Sequence, residues 1–209
     1  MLASGCKVQS RYDIIKKVDT ERGDYHMKKV LVFLAEGFEE IEAVTIIDLL
    51  RRADVNCKTI SITGKREVMG AHGVPFIADM LFDEKICLEA AGLVLPGGMP
   101  GTINLQNHVG LTKILEEFYR QKKFIGAICA APMIFGKLGF VQGKKATIYP
   151  GMEENLKGAE CSTDMVCYDG TVMTSRAPGT AMAFGLKLIE VFAGIEKANE
   201  VKKALVYQE

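Results

Sequence analysis

The 209-residue chain is 48% apolar and 25% charged, which suits a globular protein able to bury a sizeable core. Its 26 basic and 26 acidic residues cancel, and no long run of one sign argues for nucleic acid or an anionic membrane surface as the main partner. No stretch approaches the roughly 18 apolar residues that would suggest a membrane-spanning helix.

Residues 1–26 mix charges without a sustained apolar period, and the expectation is a tail or a misplaced start. A single domain over residues 27–209 then opens at Met27. Val30 to Ala35 is a continuous apolar run, as for a central parallel strand buried on both faces. Glu36-Gly37-Phe38 is a turn, and Glu39 to Ala53 reads as a helix with Ile41, Val44, Ile47, Leu49 and Leu50 as apolar positions. Glu39, Glu40 and Glu42 fall in its first turns, where the helix dipole favours carboxylates. Val55 to Thr63 is a second strand. Val68-Met69 and Val74 to Ala78 flank Gly70-Ala71-His72-Gly73 as a hairpin.

Phe82 to Ala90 reads as a short helix, and Gly92 to Leu95 as a third buried strand ended by Pro96-Gly97-Gly98-Met99-Pro100-Gly101. Leu111 to Gln121 is an amphipathic helix. Phe124 to Ile128 is a buried strand, and Ala130 to Leu138 a helix that starts at once and stops at Gly139. Strands follow near Ala146–Ile148, Met165–Tyr168 and Thr171–Thr174, with Asp169-Gly170 as a hairpin turn. Helices at about Thr180–Phe192 and Glu196–Ala204 close the chain. This alternation implies an α/β fold, an open and mostly parallel sheet covered on both faces.

Ligands in such folds bind outside the carboxyl ends of the strands. That rule gathers residues 37–42, 96–101, 129–131 and 175–180 on one edge. Cys129 lies where a strand turns abruptly into a helix, among Gly126, Ala127, Ala130 and Ala131. The pattern is that of a nucleophile elbow, and the helix N-terminus would favour a thiolate. The alternative is a small buried Cys that fits a tight junction. The N–H groups of Gly98 and Ala130 could form an oxyanion hole, although a simple glycine turn would look the same. Glu42 could hydrogen-bond to the sulfur or shuttle its proton, or be a solvated helix carboxylate. Arg176 could bind a substrate carboxylate or form an ordinary salt bridge.

The six Cys (Cys6, Cys57, Cys87, Cys129, Cys161 and Cys167) show no C-x-x-C pair and no zinc-like spacing. His26, His72 and His108 are scattered, so no metal site is expected. With no signal peptide in the sequence, reduced thiols in a cytoplasmic protein are the expectation.

Four segments together resemble the ThiJ/PfpI superfamily, nearest to its branch of small Parkinson-protein-like deglycases. They are Ala35 to Ala43, Leu95 to Gly98, Ala127 to Pro132 and Thr174 to Thr180, within a match running from Met27 to about Val206. The resemblance implies a flavodoxin-like, class I glutamine amidotransferase-like three-layer sandwich and a homodimer. It implies that Cys129 is the reactive cysteine, that Glu42 is its hydrogen-bonding carboxyl, and that the Gly97-Gly98 and Ala130 backbone forms the oxyanion site. Cofactor-free action on methylglyoxal, glyoxal or early glycation adducts would follow, with a peroxide sensor or redox-regulated chaperone as the alternative. Several family members carry a His where this chain has Tyr149, and a phenol of pKa about 10 is a poor base at neutral pH. That argues against a Cys-His protease or an amidotransferase mechanism. Met99 is a second departure, since some members have a polar residue there.

Overall fold

A computed structural model describes residues 29–208; the expected tail lies outside the described residues. The first strand, β1 (Val30–Leu34), shows why its sequence is apolar throughout. Val30, Val32 and Leu34 join one core, Leu31 and Phe33 the other, and all five are fully buried. Helix α1 (Glu40–Arg52) follows, its N-terminus capped by the Glu39 side chain. Ile46, Ile47, Leu49 and Leu50 of α1 face the sheet, whereas Ile41 and Val44 point outward at 59% and 45% exposure. The sequence pattern names these two, like Ile47, Leu49 and Leu50, as apolar positions without separating the two faces. Ile41 and Val44 lie on the opposite side of the 3.6-residue repeat from Ala43, Ile46 and Leu50.

Strand β2 (Cys57–Ser61) pairs in parallel with β1. The strands β3 (Glu67–Met69) and β4 (Pro75–Ile77) form a separate hairpin, and β5 (Met80–Leu81) adds an edge to the main sheet. After α2 (Glu84–Leu88), β6 (Gly92–Leu95) enters beside β1. The chain then makes α3 (Gly101–Asn107), α4 (Val109–Arg120), β7 (Phe124–Ile128) and α5 (Pro132–Lys137). The short strands β8 (Lys145–Ala146) and β9 (Glu160–Cys161) precede β10 (Val166–Asp169) and β11 (Val172–Ser175). Helices α6 (Ala181–Ala193) and α7 (Ile195–Ala204) complete the order.

The main sheet runs β10-β11-β7-β6-β1-β2-β5, parallel except for β10. One core lies under α1, α6 and α7, the other under α2, α3, α4 and α5. This is a flavodoxin-like α/β sandwich. The order reverses between β1 and β6, which opens a crevice at their carboxyl ends where residues 36–42 and 96–101 meet. Close approach is enforced by small residues. A Cβ at Gly185 of α6 would lie 2.3 Å from Leu49 Cδ1, so α6 packs directly on α1.

Two expectations differ from the structure. The strand expected at Ala146–Ile148 shrinks to Lys145–Ala146, paired with β9 outside the main sheet. Thr147 and Tyr149 give their backbone N–H groups elsewhere, to Thr174 Oγ1 and the Cys129 carbonyl, and so cannot extend a ladder. Helix α3 was not expected, because its Pro100-Gly101 start reads as a turn.

The β3–β4 hairpin docks onto the start of α1. Gly37 N–H donates to Met69 O and Ala71 N–H to Phe38 O, each at 2.8 Å. Glu40 Oε1 accepts the His72 N–H at 2.6 Å, and Oε2 pairs with His72 Nδ1 at 2.8 Å. Glu40 holds His72 above its ordinary pKa of 6.5, and hydrogen bonds from His72 hold Glu40 below 4.5 despite its burial. The His72 contribution is full below pH 6.5 and lost as pH rises through its raised value; that of Glu40 is full above 4.5 and lost as pH falls through its lowered value. Wild type minus His72→Gln melting temperature should therefore be largest between these limits and shrink above pH 6.5. A difference independent of pH from 5 to about 9 would show that the pair does not hold the hairpin.

Candidate active site

Cys129 ends β7 with φ +63°, in the left-handed region that side chains other than glycine rarely adopt. Such a backbone costs on the order of 1–3 kcal/mol and persists only where its surroundings overdetermine it. Here they do. The Cys129 N–H donates to Ser175 O at 3.0 Å, and its carbonyl accepts the Tyr149 N–H at 2.9 Å. Residues 129–131 form the turn, and α5 begins at Pro132 rather than at Ala130, because proline suits a first helical position that needs no N–H. The result is an elbow that directs the thiol inward, leaving Cys129 only 8% exposed.

Glu42 is not the solvated helix carboxylate that its position allowed. It is fully buried. Its Oε2 accepts the Gly97 N–H at 2.7 Å. Its Oε1 is sealed from solvent without a hydrogen-bond partner, and the carboxyl interacts with the Cys129 thiol. Burial raises Glu42 to about 7 against the lowering effects of Cys129 and Gly97, and the nearby Glu39 charge adds to the rise.

The Cys129 thiol is pushed up as well, first by burial and then by the charge and hydrogen bond of Glu42. The N–H groups of Ala130 and Gly98 act on it in the opposite sense. Burial therefore outweighs the helix-end effect expected to favour a thiolate. With Glu42 protonated, the repulsion vanishes and its O–H can donate to the sulfur. The two acids act as one unit that shares a proton.

Gly97 makes the pair possible. A Cβ there would lie 2.7 Å from Cys129 Cβ and 2.9 Å from Glu42 Oε2. Its N–H is committed to Glu42, so it positions the carboxyl rather than facing a substrate oxygen. Gly98, at φ +93°, carries the N–H that reaches the sulfur together with that of Ala130. Arg176 stays outside this cluster: its Nη1 donates to Thr163 O at 2.9 Å, and it forms no ion pair among the described residues. The sequence places Ser175 on this edge within residues 175–180 and marks Tyr149 for its side chain, but the supports that Thr174, Ser175 and Tyr149 give through backbone groups and a buried hydroxyl leave no sequence signature.

Among the described residues, Glu39, Glu40 and His72 offer ligand atoms within 4.8 Å of one another. Their present partners are protein groups, including the Glu42 N–H on Glu39 and the His72 contacts on Glu40. A cleft of about 370 Å³ lined by Glu36, Asn104, Asn107 and His108 lies near the carboxyl ends of β1 and β2 and does not include Cys129.

The DJ-1/PfpI family model matches residues 28–191, a span that contains every group just described. The chain belongs to the DJ-1/PfpI family. It is 36% identical to protein dj-1beta of Drosophila melanogaster over 86% of this chain and 97% of that one. It is also 40% identical to protein DJ-1 homolog B of Arabidopsis thaliana over 86% of this chain. There it spans only 41% of the relative's length. The structure of Toxoplasma gondii DJ-1, oxidized, superposes with a TM-score of 0.81 at 36% identity, over 87% of this chain and all of that one. These relatives place the protein in the DJ-1-like branch.

The raised pKa of Glu42 has a sign that can be checked. The folded protein keeps a proton that the unfolded chain releases near pH 4.5, so stability is lost as pH rises from there through about 7. Glu42→Gln never ionises. Relative to wild type its stability should increase between pH 4.5 and 8, by at most about 3 kcal/mol. A flat difference in denaturant unfolding across that range would mean that Glu42 is not a buried acid.

Proposed function

We propose that this DJ-1/PfpI member is a cofactor-free, cysteine-dependent enzyme acting on 2-oxoaldehydes such as methylglyoxal and glyoxal, or on early glycation adducts. Its role would be in carbonyl and oxidative stress defence. The observation that carries this reading is a buried carboxyl with a pKa of about 7 beside a nearly buried thiol, under two backbone N–H groups. A base for carbon acids works best near the ambient pH, and Glu42 meets that requirement.

In this reading Cys129 passes its proton to Glu42 as the sulfur attacks the aldehyde carbon, and the resulting oxyanion takes that proton back to complete the hemithioacetal. The Gly98 and Ala130 N–H groups stabilise the oxyanion. Glu42 takes the proton from the former aldehyde carbon and returns it to the neighbouring carbon, leaving a hydroxy-acyl thioester. Water hydrolyses the thioester and frees Cys129. With a hemiaminal of a glycated amine as substrate, the C–S bond forms as the C–N bond breaks, and the thiol proton, carried by Glu42, goes to the departing nitrogen to release the free amine. Tyr149 supplies a backbone N–H to Cys129 and no imidazole, which counts against a Cys-His protease.

A homodimer and a cytoplasmic setting belong to the same proposal. Ile41 and Val44 of α1 and Val74 and Ile77 of the docked hairpin are exposed apolar side chains that a second copy would cover. The five described cysteines are unpaired, in keeping with a reducing compartment.

A second reading has its own support. The Glu42 carboxyl interacts with Cys129 and its Oε1 has no other hydrogen-bond partner, so when protonated it would donate to a sulfinate oxygen, as in a peroxide sensor or redox-regulated chaperone. The Toxoplasma relative is described as oxidized. Lactate formation from methylglyoxal by the reduced protein separates the two. Many turnovers per molecule are expected, falling by at least about 10²-fold in Cys129→Ala and in Glu42→Gln. Stoichiometric oxidation of Cys129 by peroxide, without turnover, would replace the enzyme with the sensor.

A further inference from the structure

Both bonds that hold the Cys129 peptide in its left-handed conformation trace back to one place, the end of β11. The Ser175 carbonyl takes the Cys129 N–H directly. The other bond comes from Tyr149, in a segment that belongs to no strand of the main sheet. That segment is anchored two residues earlier, where the Thr147 N–H donates to Thr174 Oγ1 at 2.9 Å. Thr147 and Thr174 are each 1% exposed, so water cannot replace this bond. Thr174 is also in register with Ala127 of β7, which ties the anchor to the strand that delivers the cysteine.

We propose that Thr174 is a positioning residue for the nucleophile. Its hydroxyl holds Thr147, and through it the Tyr149 N–H, against the Cys129 carbonyl. This keeps the sulfur in register with Glu42 and with the N–H groups of Gly98 and Ala130. The hydroxyl touches no reacting atom. Its effect is on pose: without it the Thr147 N–H is left buried and unpaired, residues 147–149 shift to recover a partner, and the elbow relaxes.

The readout is the pH dependence of Cys129 alkylation by iodoacetamide, followed by peptide mapping. In wild type the profile should carry an inflection near 7 inherited from Glu42. Thr174→Val, which removes the acceptor at nearly constant volume, should lose that inflection and titrate at least about one unit closer to the ordinary thiol value. Thr174→Ser keeps the oxygen and should retain the wild-type profile. The same maps control for unfolding: buried Cys57 and Cys87 must stay unlabelled, and exposed Cys161 must react as in wild type. If the valine variant fails to fold, Thr174→Ala repeats the test without adding atoms. An inflection near 7 that persists in a folded variant lacking the hydroxyl overturns the proposal. So does its loss in the serine variant.

Discussion

The site depends on one strained peptide. Cys129 adopts φ +63° because its N–H and C=O are gripped from two directions, by Ser175 and Tyr149. A strand continuing in the β region would send successive side chains alternately to the two faces of the sheet. The left-handed step breaks that alternation and brings the thiol to Glu42 and the Gly98 and Ala130 N–H groups. The neighbouring small residues follow from the same constraint. Gly97 has both Cys129 and Glu42 within 3 Å of where its side chain would begin. Geometry at this point is limited by atomic radii, and little of it is adjustable.

Electrostatics then follow from burial. A carboxyl with 0% exposure would ordinarily be driven far towards its neutral form, and the interactions with Cys129 and then with the Gly97 amide moderate that effect. Glu42 is left near 7, poised between proton donor and acceptor. The thiol meets the same low-dielectric surroundings and is disfavoured as an anion, so a protonated neighbour and two amides must compensate. Neither group has its chemistry alone.

Much of this was legible in the sequence. Continuous apolar runs identified β1, β6 and β7, and the rule that ligands gather at the carboxyl ends of strands placed Cys129, Glu42 and residues 97–98 on one edge. Arg176 was placed at that edge, but its Nη1 donates to the Thr163 carbonyl instead. Helix α1 was recognised, yet the sidedness of Ile41 and Val44 was not, since apolar residues occupied both of its faces. Although Ser175 and Tyr149 themselves stood in segments the sequence marked, how Thr174, Ser175 and Tyr149 support the cysteine was invisible for a physical reason. Two of them act through backbone atoms that every residue type carries, and the third through a hydroxyl common in strands.

The distinction between backbone and side-chain contributions bears on Tyr149. Its N–H is what holds the elbow, and any residue other than proline could supply that bond. The side chain is therefore free to differ without disturbing the pose of Cys129. The fold thus separates two tasks. β11 and the segment it anchors set where the sulfur is, and the groups around the sulfur set what it can do. Chemistry can change at the second level while the first stays fixed.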